Sequence, residues 1–163
     1  MTLIPPISLA ARGLGVYVQN FTAFQMNNPN AKESMKFVWT DSISSHEESI
    51  ASSEEALRLI GDLEKATSVG PTMVEFFDPV SGLAFAIGVG RPETVATFQE
   101  SLRPPYFISL GDPAARGVTS FCYGNEETEY MARNRIPYAV GKEALRIFMT
   151  TRKRPDNLVW EQL

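Results

Sequence analysis

Only one cysteine and one histidine occur in the 163 residues. A single thiol, Cys122, cannot close an internal disulfide, and a single imidazole, His46, cannot supply a two-histidine metal centre; a cysteine-rich zinc site is excluded by the same shortage. Neither a metal nor a cofactor is expected. No apolar stretch approaches the roughly 18 residues of a membrane-spanning helix. Residues 1–10 have no basic start, and Pro5 and Pro6 break their apolar run, so no secretory signal is read there. The expectation is a cytoplasmic protein with no membrane partner.

Phosphate-binding and nucleophile motifs are missing too. There is no Gly-Lys-Ser/Thr triplet, hence no P-loop. The pairs Gly13/Gly15 and Gly88/Gly90 lack the third glycine of a dinucleotide fingerprint, since Val18 and Glu93 stand in its place. No Gly-x-Ser-x-Gly elbow occurs, and a serine triad would have to use His46. Cys122, flanked by Phe121 and Tyr123 in a strand pattern, reads as a small buried hydrophobe rather than a nucleophile served by His46.

What is present suits one globular domain spanning residues 1–163: 44% hydrophobic residues, 21% charged and a net charge of −4. The charge is uneven. Residues 46–70 and 71–130 are acidic, whereas residues 131–163 hold seven bases against three acids. An acidic body argues against a nucleic-acid binder, because phosphate contacts rest on Lys and Arg. It is compatible with a basic protein partner.

Strand patterns occupy 15–24 and 35–40, with the Asn/Pro-rich turn of 25–30 between them, so a hairpin or two loosely related strands is expected. Residues 40–45 read as a loop. Ser52 with Glu55 has capping-box spacing, and Ala56, Ile60 and Leu63 recur at helical period, which predicts an amphipathic helix over 52–67 stopped by Gly70-Pro71. From 72 to 132 come short strands at 72–77, 83–89, 94–101, 106–110, 117–123 and 127–132, joined by links too short for parallel crossovers. Pro137 opens a second helix running to Thr151, with Val140, Ala144, Ile147 and Phe148 on one face. Arg152, Lys153 and Arg154 suit its negative end, Pro155 prevents continuation, and residues 157–161 read as a last strand. The fold class is α+β: a mostly antiparallel sheet, a meander of about five to seven strands, with two main helices packed on one face.

Seven phenylalanines, at 76, 77, 85, 98, 107, 121 and 148, fall where a sheet-helix core needs them, and Trp160 joins them from the last strand. Tyr106, Tyr123, Tyr130 and Trp39 could each be core or a half-buried interface anchor. Glu126, Glu127 and Glu129 follow the Gly124-Asn125 turn; such clustered acids are usually a solvated edge, and paired carboxylates can do acid/base work.

From residue 72 onward the chain resembles the immunity protein 1 family, found beside polymorphic bacterial toxins, many of them nucleic-acid deaminases. The likeness rests on Leu83-Ala-Phe-Ala-Ile-Gly-Val-Gly90, the Ser109-Leu-Gly111 turn, the strand Val118–Tyr123 with Gly124, and the stretch from Ile136-Pro137 to Trp160. The last combines Ile-Pro, an Ala-Leu helix ending in Phe, an Arg-Pro and a hydrophobic-x-Trp strand. Where family members often carry glycine before Arg-Pro, this chain has Thr150-Thr151-Arg152-Lys153, so its helix could end differently. These signature positions are architectural and locate no binding surface.

The resemblance implies a non-enzymatic inhibitor that binds and neutralises a cognate secreted toxin, a deaminase by family association, by non-covalent blockade of its active site. The acids beside aromatics single out Asp112, Tyr123, Glu126, Glu127, Glu129 and Tyr130 as the toxin-binding patch. Two rivals stand: a small hydrolase using Glu126 with Glu129, or Cys122 with His46, and an adaptor that self-associates through a sheet edge.

Overall fold

The computed structural model describes residues 34–41, 44–66 and 70–163. Strand β1 is Met35–Thr40 and β2 is Ser45–Ile50. Helix α1 is Ser53–Lys65, and β3 (Thr72–Phe77) and β4 (Ala84–Val89) follow it. Next come β5 (Glu93–Thr94), β6 (Ala96–Gln99), β7 (Tyr106–Leu110), β8 (Val118–Tyr123) and β9 (Glu126–Met131). A 3-10 turn at Ala132–Asn134 leads into β10 (Ile136–Pro137), helix α2 (Tyr138–Thr151) and β11 (Val159–Gln162).

The main sheet runs β11-β7-β6-β4-β3-β1-β2, all antiparallel neighbours. Its centre, β3-β4-β6-β7, is the expected meander, and the α+β class holds. The strand expected over 94–101 is broken in two, because Thr94 turns aside to pair with Ile136 while Ala96 onward joins β4. β8 does not extend the meander. It returns to meet β3 at the single parallel pair Thr72↔Cys122, and β9 pairs with β8 alone among the described residues. Thr72 is the branch point: its hydroxyl reaches Thr40 O (3.1 Å) on one branch and Cys122 O (3.2 Å) on the other.

The strand expected at 15–24 lies outside the described residues. On the side away from β3, β1 pairs with β2, whose sequence Ser-His-Glu-Glu-Ser-Ile carries no strand signal. Its pairing with β1 is backed by the Lys36–Glu47 ion pair (3.0 Å) and by His46 stacked on Trp39, centroids 4.7 Å apart.

Alternation along β3 and β4 sends side chains to two cores. Val74, Phe76, Phe85, Ile87 and Val89 face both helices and join Ala56, Leu59, Ile60, Ala144, Leu145 and Phe148. Phe148 is wholly buried between Phe85 and Phe98, with centroids 5.3 and 6.2 Å away. Met73 and Ala86 face the other way and join Val95, Ile108, Phe121 and Tyr130. The helices cover one face of the sheet, and the β8–β9 hairpin packs on the opposite one.

The caps follow the sequence with one shift. Ser52 Oγ accepts from Glu55 N at 3.1 Å, and the Glu55 carboxylate reaches back to Ala51 N at 3.0 Å. Pro137 is the cap of α2 rather than its first helical residue, because it is held extended against Glu93. Arg152 ends α2 in the left-handed region (φ 57), a place usually given to glycine, so the helix stops without one. Trp160 is half-buried against the main core, its indole donating to Pro155 O at 2.8 Å.

Candidate functional site

The β8–β9 hairpin carries five of the six patch residues. Gly124 and Asn125 both have positive φ (62 and 64), the pattern of a two-residue type I′ turn, which matches the twist of the strands it joins. The backbone N–H of Asn125 reaches Thr40 Oγ1 at 3.5 Å, so the tip rests against β1.

Alternation splits the hairpin into two faces. Phe121 and Tyr130 point at the sheet, ring centroids 6.2 Å apart, and the absence of a side chain at Gly88 makes room for the Phe121 ring. A Cβ there would lie 2.5 Å from the Phe121 ring. Arg91 lies over the same ring at 5.7 Å. Tyr123 points inward too and donates to Glu75 Oε2 at 3.3 Å. Glu75, only 2% exposed, is the one acid within β3. With Thr97, Gln99, Tyr106 and Tyr123 it lines a cavity of about 10 Å³, at the lower limit for one water molecule.

Glu127 and Glu129 lie on the outer face, opposite Cys122 and Ser120, and both are exposed. Glu127 accepts from Ser120 Oγ at 2.7 Å. Glu129 makes no ion pair among the described residues. Val118 (46% exposed) and Met131 (36%) form an apolar pair at the base of this face.

The six residues of the expected patch are therefore not one surface. Glu127 and Glu129 share the outer face. Tyr123 and Glu126 sit opposite one another at the tip, on the sheet-facing side. Asp112 lies in the turn after β7, holding Ala114 N at 2.9 Å, and that turn adjoins the base of the hairpin through Gly111 N and Arg133 O. Five residue steps, about 17 Å, separate base from tip. Tyr130 is 4% exposed and so lies beneath the surface; its side chain supports the hairpin from below. Burial first, and the negative charge of Glu75 second, push the Tyr130 phenol above its ordinary range, and its hydroxyl has no hydrogen-bond partner among the described residues. Glu75 is absent from the expected patch, although one acid inside the run Thr-Met-Val-Glu-Phe-Phe is a usable sequence signal.

The rival enzymatic arrangements are poorly served by this geometry. Glu126 and Glu129 are three apart on a strand and point to opposite faces, so they cannot flank one substrate. His46 Nε2 meets both Asp41 Oδ2 (2.8 Å) and Ser44 Oγ (3.2 Å), whereas a relay needs acid and nucleophile on different ring nitrogens. Cys122 Sγ faces Thr40 Oγ1 at 4.0 Å. Among the described residues, open grooves of about 280 Å³ beside Arg91, Cys122 and Glu127 and of about 340 Å³ between Leu57, Gly61, Ala139 and Lys142 lie elsewhere on the surface.

No helix among the described residues is long and apolar enough to cross a membrane. Nothing among curated proteins matches the chain. The family model described as Immunity protein Imm1 matches residues 44–162, which takes in every strand and helix from β2 to β11.

Proposed function

The chain belongs to the Imm1 family of immunity proteins, and from that premise we propose that it binds a cognate secreted bacterial toxin and neutralises it by covering the active site. The contact is non-covalent and centres on the β8–β9 hairpin. The observation that carries this placement is the exposure of Glu127 and Glu129 on one face of a hairpin packed from beneath by Phe121, Tyr123 and Tyr130. Carboxylates on a fixed support suit a basic partner: their field speeds encounter, and a supported surface has little to lose in ordering.

A toxin that acts on nucleic acid presents basic side chains around its substrate channel, since phosphate must be held there. An acidic hairpin laid across such a channel would take the place of the substrate backbone. A deaminase is the favoured class, by family association. Exposed Glu126 at the tip and Asp112 beside the base extend the contact along the hairpin, while Tyr123 and Tyr130 support it from below. In this reading residues 1–163 act as one domain, in the cytoplasm, without catalysis.

Co-expression with the product of the adjacent upstream gene tests the reading. The wild-type chain should protect cells and co-purify with that product. The Glu127→Lys/Glu129→Lys variant should do neither while remaining folded; retained protection by the variant would sink the placement.

A further inference from the structure

Three strands of the main sheet have an outer edge with no strand partner among the described residues: β2, β9 and β11. Backbone donors and acceptors on such an edge are a template for another strand. On the edges of β2 and β11 the acids are largely paired already, Glu48 of β2 being the one without an ion pair among the described residues. Glu47 of β2 pairs with Lys36 at 3.0 Å, and Glu161 of β11 is held by Arg133 (2.7 and 3.3 Å) and Asn134 (3.2 Å). On β9, Glu127 accepts from the neutral Ser120 hydroxyl, and among the described residues neither Glu127 nor Glu129 has an ion pair.

The register fixes which backbone groups look outward. Ala132 N donates to Gly117 O at 2.9 Å, so 117/132 is a hydrogen-bonded pair of the β8–β9 ladder. Antiparallel ladders alternate, so the pairs Thr119/Tyr130, Phe121/Thr128 and Tyr123/Glu126 bond within the hairpin. Glu127, Glu129 and Met131 then aim their N–H and C=O groups away from β8, toward the open edge. The opposite edge of the hairpin obeys the same alternation, since Cys122 N donates outward to Pro71 O at 2.8 Å. The residues whose backbone groups have no strand partner among the described residues are thus the same ones whose side chains, two carboxylates and a methionine, sit on the outer face.

We infer that the toxin is held by β-strand addition: an extended segment of it pairs with the free edge of β9, with basic side chains two residues apart directly opposite Glu127 and Glu129. The backbone groups of Glu127, Glu129 and Met131 supply the ladder. The two carboxylates select Lys or Arg at alternate positions of the incoming strand, because side chains directly opposite in an antiparallel pair lie close together. The exposed Met131–Val118 pair receives an apolar side chain at the next alternate position. This inference rests on the functional reading above and adds to it how the partner is read.

Amide hydrogen exchange on the full chain, alone and with the purified product of the adjacent upstream gene, tests it. In the free protein the amides of Glu127, Glu129 and Met131 should exchange quickly while those of Thr128 and Tyr130 are protected. In the complex the first three should slow by at least ~10-fold. Glu129→Pro removes an edge-facing N–H where proline is tolerated, so it should keep its thermal midpoint and lose at least ~10-fold in affinity, whereas Glu129→Gln should lose less. A complex that leaves the three amides fast, or that forms with Glu129→Pro as tightly as with wild type, overturns strand addition and spares the immunity reading. Absence of any complex overturns both.

Discussion

The Tyr123 phenol donates to Glu75 Oε2 across 3.3 Å, joining the tip of the outer hairpin to the middle of the central strand. Glu75 is almost wholly buried, and a buried carboxylate that loses a donor bears the cost of its own desolvation. Tyr123→Phe should therefore destabilise the protein by about 1–2 kcal/mol in urea unfolding. An unchanged midpoint would mean that the hydrogen bond contributes nothing to holding the hairpin.

Tyr130 should behave in the opposite way. Its hydroxyl is buried without a hydrogen-bond partner among the described residues, so Tyr130→Phe removes a desolvated group while keeping the ring against Phe121. The variant should match or exceed wild-type stability at neutral pH, within about 1 kcal/mol. A loss well beyond that range would show that the hydroxyl has a role in the fold.

The same residue makes the protein sensitive to alkali. Burial and the charge of Glu75 raise the Tyr130 phenol above its unfolded value, so the folded state keeps a proton that the unfolded state gives up. Fewer protons bound in the unfolded state make stability fall as pH rises, beginning near the unfolded value of about 10. Below that pH the two states bind the proton equally and the term vanishes. Thermal midpoints of wild type and Tyr130→Phe should run parallel from pH 7 to 9 and diverge above about 10, with wild type falling faster.

Gly88 is the point where a single methyl group should move the hairpin. A Cβ there meets three atoms of the Phe121 ring between 2.5 and 2.9 Å, and the ring is wedged between the sheet and Tyr130. Gly88→Ala should cost about 1–3 kcal/mol through overpacking, and adding Phe121→Leu should restore part of it. Additive losses in the double variant, measured by chemical denaturation, would contradict the contact.

The central meander was readable because each of its strands pairs with a neighbour joined by a short link, and Thr72–Phe77 and Tyr106–Leu110 match their expected limits residue for residue. β2 was not readable. It buries only Ile50, so neither period nor composition betrays it, and its pairing depends on a stacked His46 and an ion pair that form only once β1 is alongside. The branch at Thr72 was equally hidden, since it joins residues fifty apart through one hydroxyl and one parallel pair. In the candidate site the acid cluster was visible but its geometry was not. Period two separates Glu126 from Glu127 and Glu129, and it buries Tyr130 on the face opposite those two.

The most direct test of the account is titration calorimetry of the purified chain with the product of the adjacent upstream gene, at low and high salt, with wild type and Glu127→Lys/Glu129→Lys in parallel. The account predicts nanomolar binding that weakens with salt, and loss of most of that affinity in the variant. Binding that is indifferent to both salt and charge reversal would contradict an acidic hairpin as the neutralising surface.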